Sequence, residues 1–145
     1  MKNTFLLLSA LCLGTSVYAQ DIPVNQVPSV VTNSFNRSFP KAREVEWEKK
    51  GSLYNADFEV SNIDNEVWID AKGIIVRSKK DMTKAQLPVA VSTAIKKEYP
   101  AYRIDDVDQY VEGKQAFYKV ELEKGGHDTH VVFDQAGRVS SKRFD

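Results

Sequence analysis

Sixty residues separate two versions of one amphipathic pattern, and this restricts the chain to an architecture built from two like units. VPSVVTNSFNRSFPKAR (Val27 to Arg43) aligns without a gap on LPVAVSTAIKKEYPAYR (Leu87 to Arg103). Val27, Val31, Phe35 and Phe39 answer to Leu87, Val91, Ile95 and Tyr99, every fourth residue, which is one stripe along a helix. Pro28 and Pro88 stand in the first turn, where no amide proton is required, and Pro40 and Pro100 stop the helix beyond the stripe.

After each helix the period changes to two. Val45 and Trp47, then Tyr54, Ala56, Phe58 and Val60, then Val67 and Ile69 alternate with polar neighbours. Ala116, Tyr118, Val120 and Leu122, then Val131 and Phe133, repeat the pattern in the second half. Lys50-Gly51, Asn62 to Asn65, Glu112-Gly113 and Gly125-Gly126 supply turns. About four extra residues near Glu123 to Gly126 leave the second strand's register open by two, a shift that keeps every side chain on its face. The least regular strands are the last ones, Ile74 to Lys79 and Arg138 to Phe144. The expected fold is α+β: one helix plus four antiparallel strands, twice, over residues 21–82 and 83–145 of a single two-repeat domain.

Asp70-Ala-Lys-Gly73 and Asp134-Gln-Ala-Gly137 share the spelling D-x-x-G between apolar strands. A type I turn with glycine in the left-handed region explains it, the Asp carboxylate accepting hydrogen bonds from turn amides. Calcium is the rival use of the acidic residues. Asp105, Asp106 and Asp108 are dense, and Asp70 and Asp134 sit at tips, yet no EF-hand spacing closes around any of them. A calcium site of another type stays open as an alternative; otherwise no cofactor is expected. His127 and His130, three apart on a strand, point to opposite faces and read as surface residues. With no G-x-S-x-G, H-E-x-x-H or phosphate-loop motif, no enzymatic activity is expected and no catalytic residue is assigned.

The beginning of the chain has the layout of a secretory signal. Lys2 supplies the positive start, Phe5 to Leu13 the apolar run, and Val17-Tyr18-Ala19 a small-residue cleavage site, so residues 1–19 are expected to be removed. The run is too short to span a bilayer. The single cysteine, Cys12, lies inside it, which leaves a mature fold without disulfides or thiolate ligands; lipidation at Cys12 is the competing reading. Twenty basic residues balance twenty acidic ones, with the balance kept in each half. No basic face for nucleic acid is suggested.

If Tyr54, Ala56, Phe58, Val67 and Ile69 face the helices, then Leu53, Trp68, Ile75, Phe117 and Val132 project to the other side of the sheet. A solvated face should be mostly polar, so these five are the candidate binding surface; burial between the units, or an inverted face assignment, is the alternative.

Several short features resemble one family: the helix ending in Phe39-Pro40 or Tyr99-Pro100, the aromatic strand with Glu46-Trp47 or Gln109-Tyr110, the strand with Phe58-Glu59-Val60 or Tyr118-Lys119-Val120, and the closing Asp-x-x-Gly hairpin. Together they resemble the PepSY-like periplasmic proteins of Bacteroidetes, also described as similar to the beta-lactamase inhibitor protein. The resemblance implies a curved sheet with helices on one face and a periplasmic or secreted protein. It brings no established activity and no functional residues, although some members carry a calcium-regulated label and the PepSY name suggests peptidase inhibition. The resulting expectation is a non-enzymatic exported module binding an unidentified protein partner; a calcium-responsive protein and a small-ligand carrier are the alternatives.

Overall fold

The computed structural model describes residues 20–144, so the expected signal segment, residues 1–19 with Cys12, lies outside the described residues. Helices α1 (Ser29–Ser38) and α2 (Val89–Glu98) start directly after Pro28 and Pro88 and end at Phe39 and Tyr99, whose amides donate to Phe35 O and Ile95 O at 2.8 Å. Pro40 and Pro100 follow at once, where a further helical turn has no amide to use. Each helix buries its stripe: Val31 and Phe35 on α1, Val91 and Ile95 on α2.

Eight strands form one antiparallel sheet in sequence order: β1 (Gln20–Asp21), β2 (Arg43–Lys50), β3 (Leu53–Val60), β4 (Ile63–Ile69), β5 (Ile75–Asp81), β6 (Arg103–Glu112), β7 (Gln115–Lys124) and β8 (His127–Asp134). The helices occupy the β1–β2 and β5–β6 connections. They cover the same face, over two separate cores. One gathers Val31, Phe35, Trp47, Ala56, Phe58 and Ile69; the other gathers Val91, Ile95, Val107, Val120, Leu122 and Phe133.

Strand β1, two residues long, is too short to carry a sequence period, yet its pairing is informative. Gln20 and Asp21 pair with Lys49 and Glu48, and sixty residues on, Lys80 and Asp81 pair with Gln109 and Asp108. The start of the described chain therefore occupies the position, next to its half of the sheet, that the end of β5 occupies next to the other.

Three expectations need correction. The four extra residues are not near Glu123 to Gly126, because β3–β4 and β7–β8 both close over two residues, with Val60 opposite Ile63 and Lys124 opposite His127. They lie instead in the β6–β7 hairpin, which continues past Tyr110–Phe117 to Val111–Ala116 and Glu112–Gln115, whereas β2–β3 closes at Lys50–Leu53. Trp47 and Tyr110, matched in sequence, consequently sit on opposite faces: Trp47 in a helix-side core, Tyr110 in a cluster on the other side.

The count of four strands also fails in the second half. Ile75–Asp81 is held between β4 and β6, but the segment from Arg138 to Phe144 makes one bridge, Phe133 to Val139, and leaves the sheet. No following strand is available on its outer side among the described residues, and aromatic burial decides its path, as shown below. The third correction is Ile75. The β4–β5 register shifts between Trp68 and Ile69, so that Trp68 opposes Arg77 and Ile69 opposes Ile75. This bulge turns Ile75 to the helix side, where it packs on the first core.

Both D-x-x-G tips are built alike. Asp70 Oδ1 accepts from the amides of Lys72 and Ile74, each at 2.9 Å, and Asp134 Oδ1 from those of Ala136 and Arg138 at 2.9 and 3.0 Å. Gly73 and Gly137 take φ of 82° and 78°. A Cβ at Gly73 would lie 2.9 Å from Val30 O, and one at Gly137 2.4 Å from Ala90 O, so each tip also docks on its helix. Gly137→Ala should accordingly cost about 3 kcal/mol, left-handed strain plus backbone overlap. Gly125→Ala, at φ 63° with nothing near its Cβ, should cost about 1 kcal/mol. Urea denaturation of both variants checks this; equal losses would mean that the tip is not seated on α2.

Candidate functional site

Among the described residues, no layer of secondary structure lies over the face of the sheet away from the helices. Leu53, Trp68, Phe117 and Val132 do project there, as expected from alternation, and Tyr110, Val76 and Phe144 join them in a third apolar cluster. They do not form an exposed patch. Trp68 is 6% exposed, Phe117 7%, Tyr110 3% and Val132 9%. Changing Trp68 or Phe117 to Ser would therefore cut into packed structure before it tested any surface contact.

Arg77 and Lys50 stand over Trp68, and what covers Tyr110, Phe117 and Val132 is the segment after β8, here called the strap. Ser140 donates its amide to Val132 O at 2.8 Å, and the chain then crosses the open face until Phe144 lies on Tyr110. The two rings stack at 4.0 Å between centroids and 13° between planes, and Phe117 meets Phe144 at 5.7 Å and 48°. Phe144 is 3% exposed; burial of a side chain of this size contributes about 2 kcal/mol.

Cations close the edges of the cluster. The Arg77 guanidinium stands 5.3 Å from the Trp68 ring and 5.3 Å from the Phe144 ring, and Lys142 Nζ 4.7 Å from Phe117. Glu112 ties both: Arg77 Nε donates to its Oε1 at 2.9 Å, and Lys142 bonds its Oε2. Lys142, and after it Arg77, hold the Glu112 carboxyl below its usual range against the opposing effect of burial. Lys119 Nζ donates to Phe144 O at 2.8 Å. None of these strap contacts has a sequence signal, because Ser-Ser-Lys-Arg-Phe shows no period.

Beyond the aromatic cluster the open face is charged. Asp57, Asp64, Glu66 and Asp81 surround Lys79 in a hollow of about 150 Å³. Lys79 Nζ reaches Asp108 Oδ1 at 3.2 Å, off the direction of a good hydrogen bond, which leaves that buried oxygen ion-paired but without an aligned donor. Burial is the largest influence on Asp108 and, with the Asp81 carboxyl opposite it and Asp106 nearby, pushes its carboxyl up to about 6 in spite of Lys79. Burial opposes the charge of Lys79 as well, but Asp108 and Asp81 outweigh it and raise the amine to about 12.

Asp105, Asp106 and Asp108, the alternative calcium trio, are not brought together. Asp105 bonds Arg103, Asp108 pairs with Lys79, and among the described residues no group of three or more His, Cys, Asp or Glu side chains is arranged to hold a metal ion. At the tips, Asp70 and Asp134 spend Oδ1 on turn amides, and Asp134 Oδ2 takes Arg138 at 2.7 Å. Both histidines are exposed on β8, and His130 meets Glu121 across the ladder at 2.8 Å. Among the described residues no helix is long and apolar enough to cross a membrane.

A family model described as "Putative beta-lactamase-inhibitor-like, PepSY-like" matches this chain twice, over residues 15–77 and 52–141. Among solved structures the chain is similar to a DUF2874 family protein from Bacteroides uniformis, with 26% identity and a TM-score of 0.70 over 77% of this chain and 85% of that one. It is also similar to a BLIP-like protein from Bacteroides fragilis, with 24% identity and a TM-score of 0.69 over 80% and 84% of the two chains. "Putative periplasmic proteins" from Bacteroides eggerthii give 22% identity and a TM-score of 0.71 over 78% and 85%. No curated protein matches the chain.

The buried carboxyl gives a pH test of the charged half. Asp108 has an ordinary value of 3.8 when unfolded and about 6 when folded, so the folded state holds the proton more tightly and stability falls as pH rises from about 4 to about 6. Glu112 and Asp134, both held low, act in the opposite sense, their contribution fading only as pH drops below the ordinary carboxyl range. Melting temperature followed from pH 4 to pH 6.5 should therefore carry a downward component that Asp108→Asn removes. Identical slopes in the two proteins would show that Asp108 is ordinarily solvated.

Proposed function

The chain belongs to the beta-lactamase-inhibitor-like, PepSY-like family, and from that premise we propose that it is a non-catalytic periplasmic module that binds another protein through the open face of its sheet. One observation carries the reading: helices cover one face, while among the described residues the other carries an aromatic cluster crossed by a short strap, cations over its rings and, beyond it, a charged half. Aromatic anchors rimmed by charge are what protein interfaces use for affinity and for register. The likeness to a BLIP-like protein in fold supports a binding role, and the description of a similar structure as periplasmic supports the location.

In this reading residues 1–19 direct export, and the two halves are copies of one helix-and-hairpins block, the second having released its last strand to become the strap. Nothing in the arrangement of Asp105, Asp106 and Asp108 favours the calcium-responsive alternative.

The exported chain, immobilised and exposed to periplasmic proteins of its source, should retain a partner. Lys50→Ala combined with Lys119→Ala, on the open face, should reduce retention at least about tenfold, a loss of roughly 1.4 kcal/mol. Lys96→Glu combined with Lys97→Glu, exposed on α2, should leave it intact. Retention lost through the helix pair and kept through the face pair would reverse the assignment.

A further inference from the structure

We propose that the aromatic cradle beneath the strap is a peptide-binding site which the chain's own Lys142-Arg143-Phe144 occupies in cis, its ligand being a partner segment in which basic residues precede an aromatic side chain. The proposal rests on the binding-module reading and gives its partner a chemistry.

The strap is held in the way a bound peptide is held. After the bridge at Val139 and the Ser140 amide bond to Val132 O, no further strand pairing ties it to the sheet. It is held further on by one buried aromatic anchor with Arg77 over its ring, by Lys142, which bonds a carboxylate and stands over Phe117, and by a hook on the main chain from Lys119. An anchor in a pocket, a charge pair that sets direction and a main-chain hydrogen bond that tolerates sequence are sufficient to recognise a short segment.

Sheet geometry does not force this path. Val139 follows Gly137 as Ile75 follows Gly73, yet Ile75 opens a strand of seven residues, and the second-half segment leaves after a single bridge. The cradle draws it away. Phe144 fits between Tyr110, Phe117 and Arg77, and the first half has Lys50 and Leu53 where the second has Tyr110 and Phe117, as the registers show, so no equivalent cradle exists there.

The groove is also longer than its occupant. Past Arg77 and Glu112 it opens into a hollow of about 300 Å³, floored by Leu53, Trp68 and Val76. On the other side a hollow of about 220 Å³ lies between the strap and Lys119, His130 and Val132. A partner segment that matches the strap at its aromatic residue and continues into the Trp68 hollow with an apolar side chain gains contacts that the strap does not make. It displaces the strap rather than adding to it.

The test uses the exported chain, wild type and Phe144→Ala, with the peptide Ser-Ser-Lys-Arg-Phe-Asp and a control in which Ala replaces its Phe. Binding is read by NMR from Tyr110, Phe117 and Lys119. The variant should bind the peptide at least about tenfold more tightly than wild type, because the tethered strap competes at an effective concentration in the millimolar range. The control peptide should not bind. Equal binding to both proteins, or none to a folded variant, overturns the proposal. Should Phe144→Ala not fold, Lys142→Glu decides: it unpins the strap from Glu112 and should raise peptide affinity several-fold, and unchanged affinity overturns the proposal. Peptide silence beside partner retention that still depends on Lys50 and Lys119 discards the peptide chemistry and leaves the face reading standing; loss of both discards both.

Discussion

A β-strand sends alternate side chains to opposite faces, and among the described residues a helix layer is supplied to one face alone. Everything specific to this protein follows from how the other face is finished. On the helix side the two cores are alike, each a buried stripe pressed on the inward residues of three or four strands. On the open side the halves diverge. The first leaves charged rows around Lys79, and the second builds an aromatic cradle and then fills it from its own chain.

The longer β6–β7 hairpin and the strap belong together. The added residues include Glu112, which grips both Arg77 of β5 and Lys142 of the strap and so fastens the two halves across the seam where β5 meets β6. The same seam carries the Asp81–Asp108 carboxyl pair, held by Lys79 and electrostatically strained as pH rises. A grip in the aromatic half and a repulsion in the charged half sit on the same pair of strands. A ligand that releases the strap would take Lys142 from that grip and leave Arg77 on Glu112 to oppose the repulsion.

The parts of this fold that depend on local chemistry could be read from the sequence. Prolines bracket the helices, the D-x-x-G pairs mark docked turns, and alternation put Leu53, Trp68, Phe117 and Val132 on the correct side. The misreadings have definite physical sources. Two glycine turns, Gly113 and Gly125-Gly126, offer equal room for four extra residues, and only the pairing of Tyr110 with Phe117 places them. A bulge reverses face parity without any required residue type, which moved Ile75 to the helix side. The strap has no period to reveal it, so the cluster it covers reads as exposed when taken from the strands alone. Burial of Phe117 is a property of Phe144, distant from it in sequence, and burial of Trp68 a property of Arg77, brought opposite it by the β4–β5 bulge.

The central claim is that the open face is closed by Phe144 lying on Tyr110, and a solution NOE measurement addresses it directly. The Phe144 ring protons should show cross-peaks to Tyr110 and Phe117 and be shifted upfield by the stacked ring. Random-coil shifts for Phe144, without those cross-peaks, would contradict the strap and the cradle together.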